Sequence, residues 1–238
     1  MLFGQVQVLA GGAKYLHLLG VNLFSSSFWF YKIALPWSVV TSPLELFGMA
    51  LTLVCVTLTV RQNILCWPIG IVAAIAYGFL FFHFSLLADT YLQGFYVGTS
   101  IYGWYWWLRG GPNFSRLPVS SLDARQRIAW AIATLLAVAS VGYFHANYTK
   151  AALPYLDALA SGTSVSAQLL MMRKKRECWP LWVFVNVLSI YIYISTQVIL
   201  TAVLYAMLLL LAILGWRQWT QESHSQTPLP TPASSNAA

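Results

Sequence analysis

Seven apolar runs follow one another along the chain, each long enough to cross a bilayer as a helix. They are Leu44–Val60, Trp67–Ala88, Tyr91–Leu108, Ile128–Tyr148, Ala151–Met172, Trp179–Thr196 and Val198–Trp219. About 20 helical residues cover the roughly 30 Å of a hydrocarbon core. Little more than Asp89-Thr90 parts the second run from the third, so those two are predicted to be antiparallel neighbours. The longest connection, Arg109 to Arg127, holds Gly110-Gly111-Pro112 and Pro118 and reads as loop. Leu16 to Val40 is also apolar, but Ser25-Ser26-Ser27, Lys32 and Pro36 interrupt it. Such a mixture suits the headgroup zone, so residues 1–42 read as a segment with an interfacial helix rather than an eighth span. From Thr220 to Ala238 the chain is rich in Ser, Thr, Pro and Gln and reads as a disordered tail.

The pattern repeats at an offset of 112 residues. Cys66-Trp67-Pro68 recurs as Cys178-Trp179-Pro180, and Ile101, Gly103, Trp104 and Trp107 recur as Ile213, Gly215, Trp216 and Trp219. Arg61 maps onto Arg173, and the acidic Glu45 onto the acidic Asp157. Tryptophan is 11 of 238 residues, so three coinciding tryptophans are not an accident of composition. Three runs per repeat is an odd number, and two such units joined directly would be inverted. The extra run, Ile128–Tyr148, restores the orientation. The expected fold is an all-α integral membrane protein: seven transmembrane helices in a three-plus-one-plus-three plan, built from two parallel three-helix repeats. The units are residues 1–42, a first bundle at 43–108, a loop and linker helix at 109–150, a second bundle at 151–219 and a tail at 220–238.

Composition agrees with the runs. Hydrophobic residues are 59% of the chain and charged ones 8%, against about 25% charged in a soluble domain. The formal charge of +7 therefore points to membrane orientation and away from nucleic acid. With seven spans, Arg61, Arg109, Arg116, Arg125, Arg127, Arg173, Lys174, Lys175, Arg176 and Arg217 share one side, and Lys14, Lys32 and Lys150 the other. The richer side, with the C-terminus, is predicted to be cytoplasmic. Cys55, Cys66 and Cys178 have no metal-ligand spacing and read as small buried apolar residues. His17, His83, His145 and His224 form no HExxH-type pair, and no phosphate-binding loop appears. No metal, cofactor or catalytic set is expected.

Candidate chemistry lies inside the spans. Trp182 and Asn186 are one helical turn apart, and Ser189 and Tyr193 continue that face. An amide offers both an acceptor and donors to a hydroxylated solute, and an indole face suits an aromatic ring or a cation. At the repeat offset these positions become Gly70, Ala74 and Tyr77, so one repeat carries bulky groups where the other is small. A site near a symmetry axis has room for one such set. The alternative is that Trp182 faces lipid and Asn186 bonds a neighbouring helix. Gln93 and Tyr96, with Ser100 a turn on, are polar groups at depth in the third run, where a solute site and helix-to-helix bonding are both open. Glu45, Asp89 and Asp157 fall near the outer face; they would attract a cationic solute or stand as ordinary helix-end acids. Gly-Trp with a second Trp nearby ends both bundles and reads as an interfacial aromatic belt. Pro68 and Pro180 open their helices and are candidate hinges.

Trp67-Pro68-x-Gly70, Tyr77, Ala88-Asp89, Leu92-Gln93, Tyr96 and Tyr102-Gly103-Trp104, with Trp179-Pro180-x-Trp182-x-x-x-Asn186, resemble the PnuC family of bacterial vitamin transporters over residues 43–219. The resemblance implies a fold related to the sugar-transporting SWEET proteins, homotrimers in the bacterial inner membrane, and import of nicotinamide riboside by facilitated diffusion. Phosphorylation by a cytoplasmic riboside kinase would then trap the vitamin. It implies substrate contacts at Trp182, Asn186 and Gln93, to which the pattern adds Tyr96, Tyr77 and Ser189. Another vitamin such as thiamine, an ion-coupled cycle, a membrane enzyme and a binding-only receptor are the competing readings.

Overall fold

The computed structural model describes residues 29–31, 33–35, 39–83, 85, 87–148 and 154–225. The expectations for residues 1–28, for Lys32 and Lys150 and for 226–238 lie outside them, as do the side chains of Asp89, His145 and Asp157.

Among the described residues are seven long helices: α1 Pro43–Val60, α2 Cys66–His83, α3 Leu87–Arg109, α4 Ala124–Tyr148, α5 Pro154–Met172, α6 Cys178–Ser195 and α7 Ile199–Ser225. Five of them (α1, α2, α4, α6 and α7) are long and apolar enough to cross a membrane. The others, α3 and α5, have the length but carry more polar side chains. Many of those are buried: Gln93 and Ser100 on α3, and Thr163, Ser164, Ser166 and Gln168 on α5.

Several boundaries differ from the sequence expectation. The α2–α3 turn lies before Leu87, so Asp89 and Thr90 sit in the first turn of α3, not between helices. An acid there faces the positive end of the helix dipole. The last helix runs on to Ser225, six residues into the expected tail, and is held there by bonds from Arg176 to Ser223 and His224. Where an interfacial helix was expected, two strands pair antiparallel, β1 Ile33–Leu35 and β2 Val39–Thr41. β-branched residues favour strand over helix at these positions. Ser42 then caps α1: its Oγ accepts the Glu45 N–H at 3.2 Å.

Six helices close a ring. Going round it, α1 packs on α2, α2 on α3, α3 on α5, α5 on α6, α6 on α7, and α7 back on α1; α4 stays outside against α5. The order is two-fold symmetric, because the 112-residue offset carries α1, α2 and α3 onto α5, α6 and α7. The turns repeat with it. Gln62 and Lys174 both have left-handed backbone, at φ 55° and 48°, and so do Ser85 and Gln197, at 60° and 61°. Cys66 N–H bonds Asn63 O at 3.1 Å, as Cys178 N–H bonds Lys175 O at 3.1 Å.

Tryptophans lock the ring at one end. Trp67 meets Trp107 edge-to-face at 5.2 Å, Trp179 meets Trp219 likewise at 5.3 Å, and Trp107 and Trp219 meet each other at 5.8 Å. Trp107 Nε1 on α3 donates to Met171 O at the end of α5, while Trp219 Nε1 on α7 donates to Val60 O at the end of α1. Each repeat thereby donates to a last-turn carbonyl of the other; Met171 O also accepts the Lys174 N–H of its own turn at 3.0 Å. Trp107 and Trp219 are 2% and 0% exposed, so they are core and not an interfacial belt; only Trp104 and Trp216, at 37% and 40%, face outward. The sequence pattern could not separate the two because both sit within one turn of the same helix end.

Gly103 and Gly215 make room for the rings. A Cβ on Gly215 would lie 2.5 Å from Trp179, and one on Gly103 would meet Trp67 in the same way. We expect Gly215→Ala to lower stability by about 1–3 kcal/mol through overpacking, read as a lower midpoint of thermal unfolding in detergent. Gly98→Ala, where a Cβ meets nothing within 4 Å, should leave that midpoint in place. Equal midpoints for both variants would contradict the packing described.

Candidate functional site

The ring surrounds a cavity of about 210 Å³. Drug-sized pockets run to about 300–1,000 Å³, so this one suits a small solute. All six ring helices line it and α4 does not. Most lining residues come in pairs 112 apart, among them Thr52 with Ser164, Trp67 with Trp179, and Ala73 with Val185. Residues related by a two-fold axis surround one cavity only if the cavity lies on that axis.

The pairs are matched in position but not in chemistry. Gly70 stands where the second repeat has Trp182, Ala74 where it has Asn186, and Val56 where it has Gln168; conversely Gln93 faces Tyr205, and Tyr96 faces Leu208. Since α2 and α6 lie on opposite sides of the ring, the small residues of one leave space for the large residues of the other. The amide and indole groups of the lining therefore come from both repeats, at positions where the counterpart residue differs.

Of the residues named from sequence, Trp182, Asn186, Gln93, Tyr96 and Tyr77 line the cavity together. Trp182 and Asn186 thus turn inward, not to lipid. Ser189 is buried, at 1% exposure, but is not among the lining residues. Gln168 was missed. It carries the same signal as Gln93, an uncharged amide deep in an apolar helix, and it lies one turn beyond Ser164 on the inner face of α5.

Hydrogen bonding shows what the lining offers. The side-chain amides of Gln93, Gln168 and Asn186 are buried, at 7%, 8% and 3% exposure. Among the described residues none of the three is hydrogen-bonded by its side chain, although each lines the cavity. Buried amides are normally satisfied, so these three are available to a solute. Tyr96 is arranged differently. Ser164 Oγ donates to Ser161 O at 2.8 Å, which uses its one proton, so Tyr96 OH donates to Ser164 Oγ at 3.1 Å. The Tyr96 oxygen is left as an acceptor. Tyr77 OH and Trp182 Nε1 are buried without a partner. Among the described residues no Asp, Glu, His, Lys or Arg lines the cavity, and no cluster among them could hold a metal ion.

At the end of the ring away from the tryptophans stands Glu45. It is 4% exposed and accepts from Thr41 Oγ1 at 3.1 Å. In this state it is a buried, bonded helix-start carboxylate, not an open acidic mouth. Tyr77 lies close above Gly48, where a Cβ would come within 2.9 Å of the phenol ring. Tyr77 stacks on Phe81, and Tyr193 on Tyr205, so four aromatic rings narrow this end as tryptophans close the other.

Comparison with known proteins agrees with this architecture. The family described as nicotinamide mononucleotide transporter matches residues 42–221. The nicotinamide riboside transporter PnuC of Escherichia coli is 26% identical over 208 residues, covering 77% of this chain and 87% of that protein. That of Haemophilus influenzae is 26% identical over 199 residues, covering 80% and 86%. A crystal structure of the vitamin B3 transporter PnuC has a TM-score of 0.64 and 22% identity, covering 76% of this chain and 82% of that one. At that identity it speaks for the fold alone.

Deleting the Tyr96 hydroxyl as Tyr96→Phe removes the donor to Ser164. We expect a loss of about 1 kcal/mol in unfolding free energy, measured by denaturant titration in micelles. No change would mean that Ser164 is satisfied without it.

Proposed function

The chain belongs to the nicotinamide mononucleotide transporter family, a family of membrane transporters and not enzymes, and we propose that its solute is nicotinamide riboside. The observation that carries this reading is the neutral, asymmetric cavity with three free amides. Nicotinamide riboside has a cationic pyridinium ring, a carboxamide and ribose hydroxyls. Trp182 offers an indole face to the pyridinium, a contact worth about 0.5–2 kcal/mol. Asn186, Gln93 and Gln168 offer donors and acceptors to the carboxamide and hydroxyls, and Tyr96 an acceptor. A mononucleotide carries a phosphate, and burying that charge without a partner is prohibitive. Since no Lys or Arg lines the cavity, the riboside fits and its phosphate ester does not.

The seven helices are read as seven spans, in the three-plus-one-plus-three plan, with α3 and α5 completing the five most apolar ones. All ten Lys and Arg that fall among the described residues lie towards the tryptophan end, in the turns and connections there or in the helix segments beside them. That end is assigned to the cytoplasm of a bacterial inner membrane, with the C-terminus on the same side. One axial cavity between a tryptophan-packed end and an end narrowed by four aromatic rings supports alternating access, in which each end parts in turn. The neutral lining favours facilitated diffusion without a coupling ion, with trapping left to a cytoplasmic kinase. The cavity is complete within one chain, so a homotrimer would be built from faces outside the ring, each protomer keeping its own pathway. Glu45, Asp89 and Asp157 would draw the cation to the outer end once that end opens.

Labelled nicotinamide riboside taken up by proteoliposomes without an ion gradient tests this. The native chain should show saturable uptake. Trp182→Ala and Asn186→Ala should each raise KM at least tenfold, equivalent to about 1.4 kcal/mol, with unfolding midpoints near native. Nicotinamide mononucleotide should not compete. Uptake that needs a proton or sodium gradient, or equal competition by the mononucleotide, would overturn the reading.

A further inference from the structure

Two turn tips meet above the tryptophans, at the tryptophan end of the ring. The α1–α2 turn presents Gln62 and the α5–α6 turn presents Lys174. Lys174 Nζ donates to Gln62 Oε1 at 3.3 Å, and the two residues are 112 apart. They occupy the same place in their repeats, and equivalent residues can touch only on the symmetry axis. Both tips are built alike: Gln62 N–H bonds Thr59 O at 3.0 Å and Lys174 N–H bonds Met171 O at 3.0 Å. The cavity lies on that axis beneath them. A solute leaving by this end has to part Gln62 from Lys174.

The contact is not a simple latch, because one partner is charged. Lys174 is 6% exposed. Its ammonium lies 4.5 Å from the centre of the Trp107 ring, and it forms no ion pair among the described residues. Burying a cation on a neutral amide and a ring is costly. Its repeat partner is a glutamine, so the fold does not require a charge at this position.

We propose that Lys174 loads this gate: its charge, desolvated when the tips meet and hydrated when they part, biases the gate toward opening. This rests on the transport reading above. The linkage supports it. Burial above all pulls the Lys174 pKa down to about 8 from 10.5, and Arg116 on the α3–α4 connection pulls the same way, while Cys66 on α2 and Glu222 on α7 push it up. Lys174 lies between helices, outside the spans. With the tips parted, water reaches the ammonium and its pKa returns toward 10.5. The closed gate therefore holds this proton less tightly than the open one. Below pH 8 the charge is present in both states and opposes closure. As pH rises through 8 the closed form sheds the proton, and closure is favoured increasingly up to about 10.5.

The test reads tip separation directly, with no solute present. Spin labels at Arg61→Cys and Arg173→Cys, exposed and equivalent in the two repeats, report the distance between turns in liposomes. Labelled chains are diluted with unlabelled ones so that distances lie within one chain. Between pH 7 and 9 the ratio of closed to parted tips should rise about tenfold in the native chain, from the two pKa values. Lys174→Met, which removes the charge, and Gln62→Glu, which compensates it, should both favour closure at pH 7. Lys174→Met should also lose the pH response, and Lys174→Arg should keep the tips easily parted at both pH values. A mere latch gives the opposite sign: Lys174→Met and high pH would both part the tips. If Lys174→Met fails to fold, Lys174→Arg still decides the sign, because a latch would hold the tips together in that variant at both pH values. An absent pH response overturns this proposal, whereas absent riboside uptake would overturn the transport reading and leave the tip distances readable.

Discussion

Two indole hydrogen bonds, exchanged between the halves of the chain, hold the rest of this structure in place. Trp219 Nε1 caps the carbonyl end of α1, and Trp107 Nε1 caps that of α5, with the two rings in contact between them. Inside a membrane, apolar burial does not by itself drive helices together, because lipid tails are as apolar as side chains. Directional bonds and close ring contacts have to supply the association, and an aromatic pair adds about 0.5–1.5 kcal/mol beyond its area. The glycines at 103 and 215 let Trp67 and Trp179 pack closely against α3 and α7. With one end locked symmetrically, the six helices have to leave a space on the axis.

Symmetry makes that space, and departure from symmetry makes it selective. A strictly repeated lining would present the same face twice, and a solute with a ring at one end and a sugar at the other has no such symmetry. The repeats resolve this by taking turns. The second supplies Trp182, Asn186 and Gln168 against Gly70, Ala74 and Val56, and the first supplies Gln93 and Tyr96 against Tyr205 and Leu208. The connection between repeats breaks symmetry a second time. Ser120 N–H bonds Lys174 O, and Arg176 N–H bonds Ser120 O, each at 3.0 Å, while Glu177 accepts from Leu122 N–H and from Arg127. Among the described residues, only the α5–α6 turn is stitched down this way.

Much of this was legible in the chain because membrane helices announce themselves by run length and because the repeat doubled every signal. The offset placed both helix-opening Cys-Trp-Pro segments and identified the small-for-large exchange at Trp182 and Asn186. What it missed has physical reasons. The α2–α3 turn sat earlier than Asp89 because the apolar run continues through Leu86 and Leu87, although the offset from the α6–α7 turn would have placed it. Trp107 and Trp104 look alike in a window, and only packing decides which of them is core. Gln168 was passed over because its repeat partner is an ordinary valine. For Glu45 the sequence leaves a solute-attracting acid and an ordinary helix-end acid both open, and its bond to Thr41 depends on a strand pairing that no helical period could reveal.

The account stands on one claim, that a single solute binds on the axis of the ring. Determining the structure of the chain with nicotinamide riboside bound tests it most directly. The account predicts one molecule per chain inside the six-helix ring, its pyridinium against the Trp182 indole and its polar groups within hydrogen-bond reach of Asn186 and Gln168. A riboside bound outside the ring, against α4 or between chains, with the axial cavity unchanged, would contradict it.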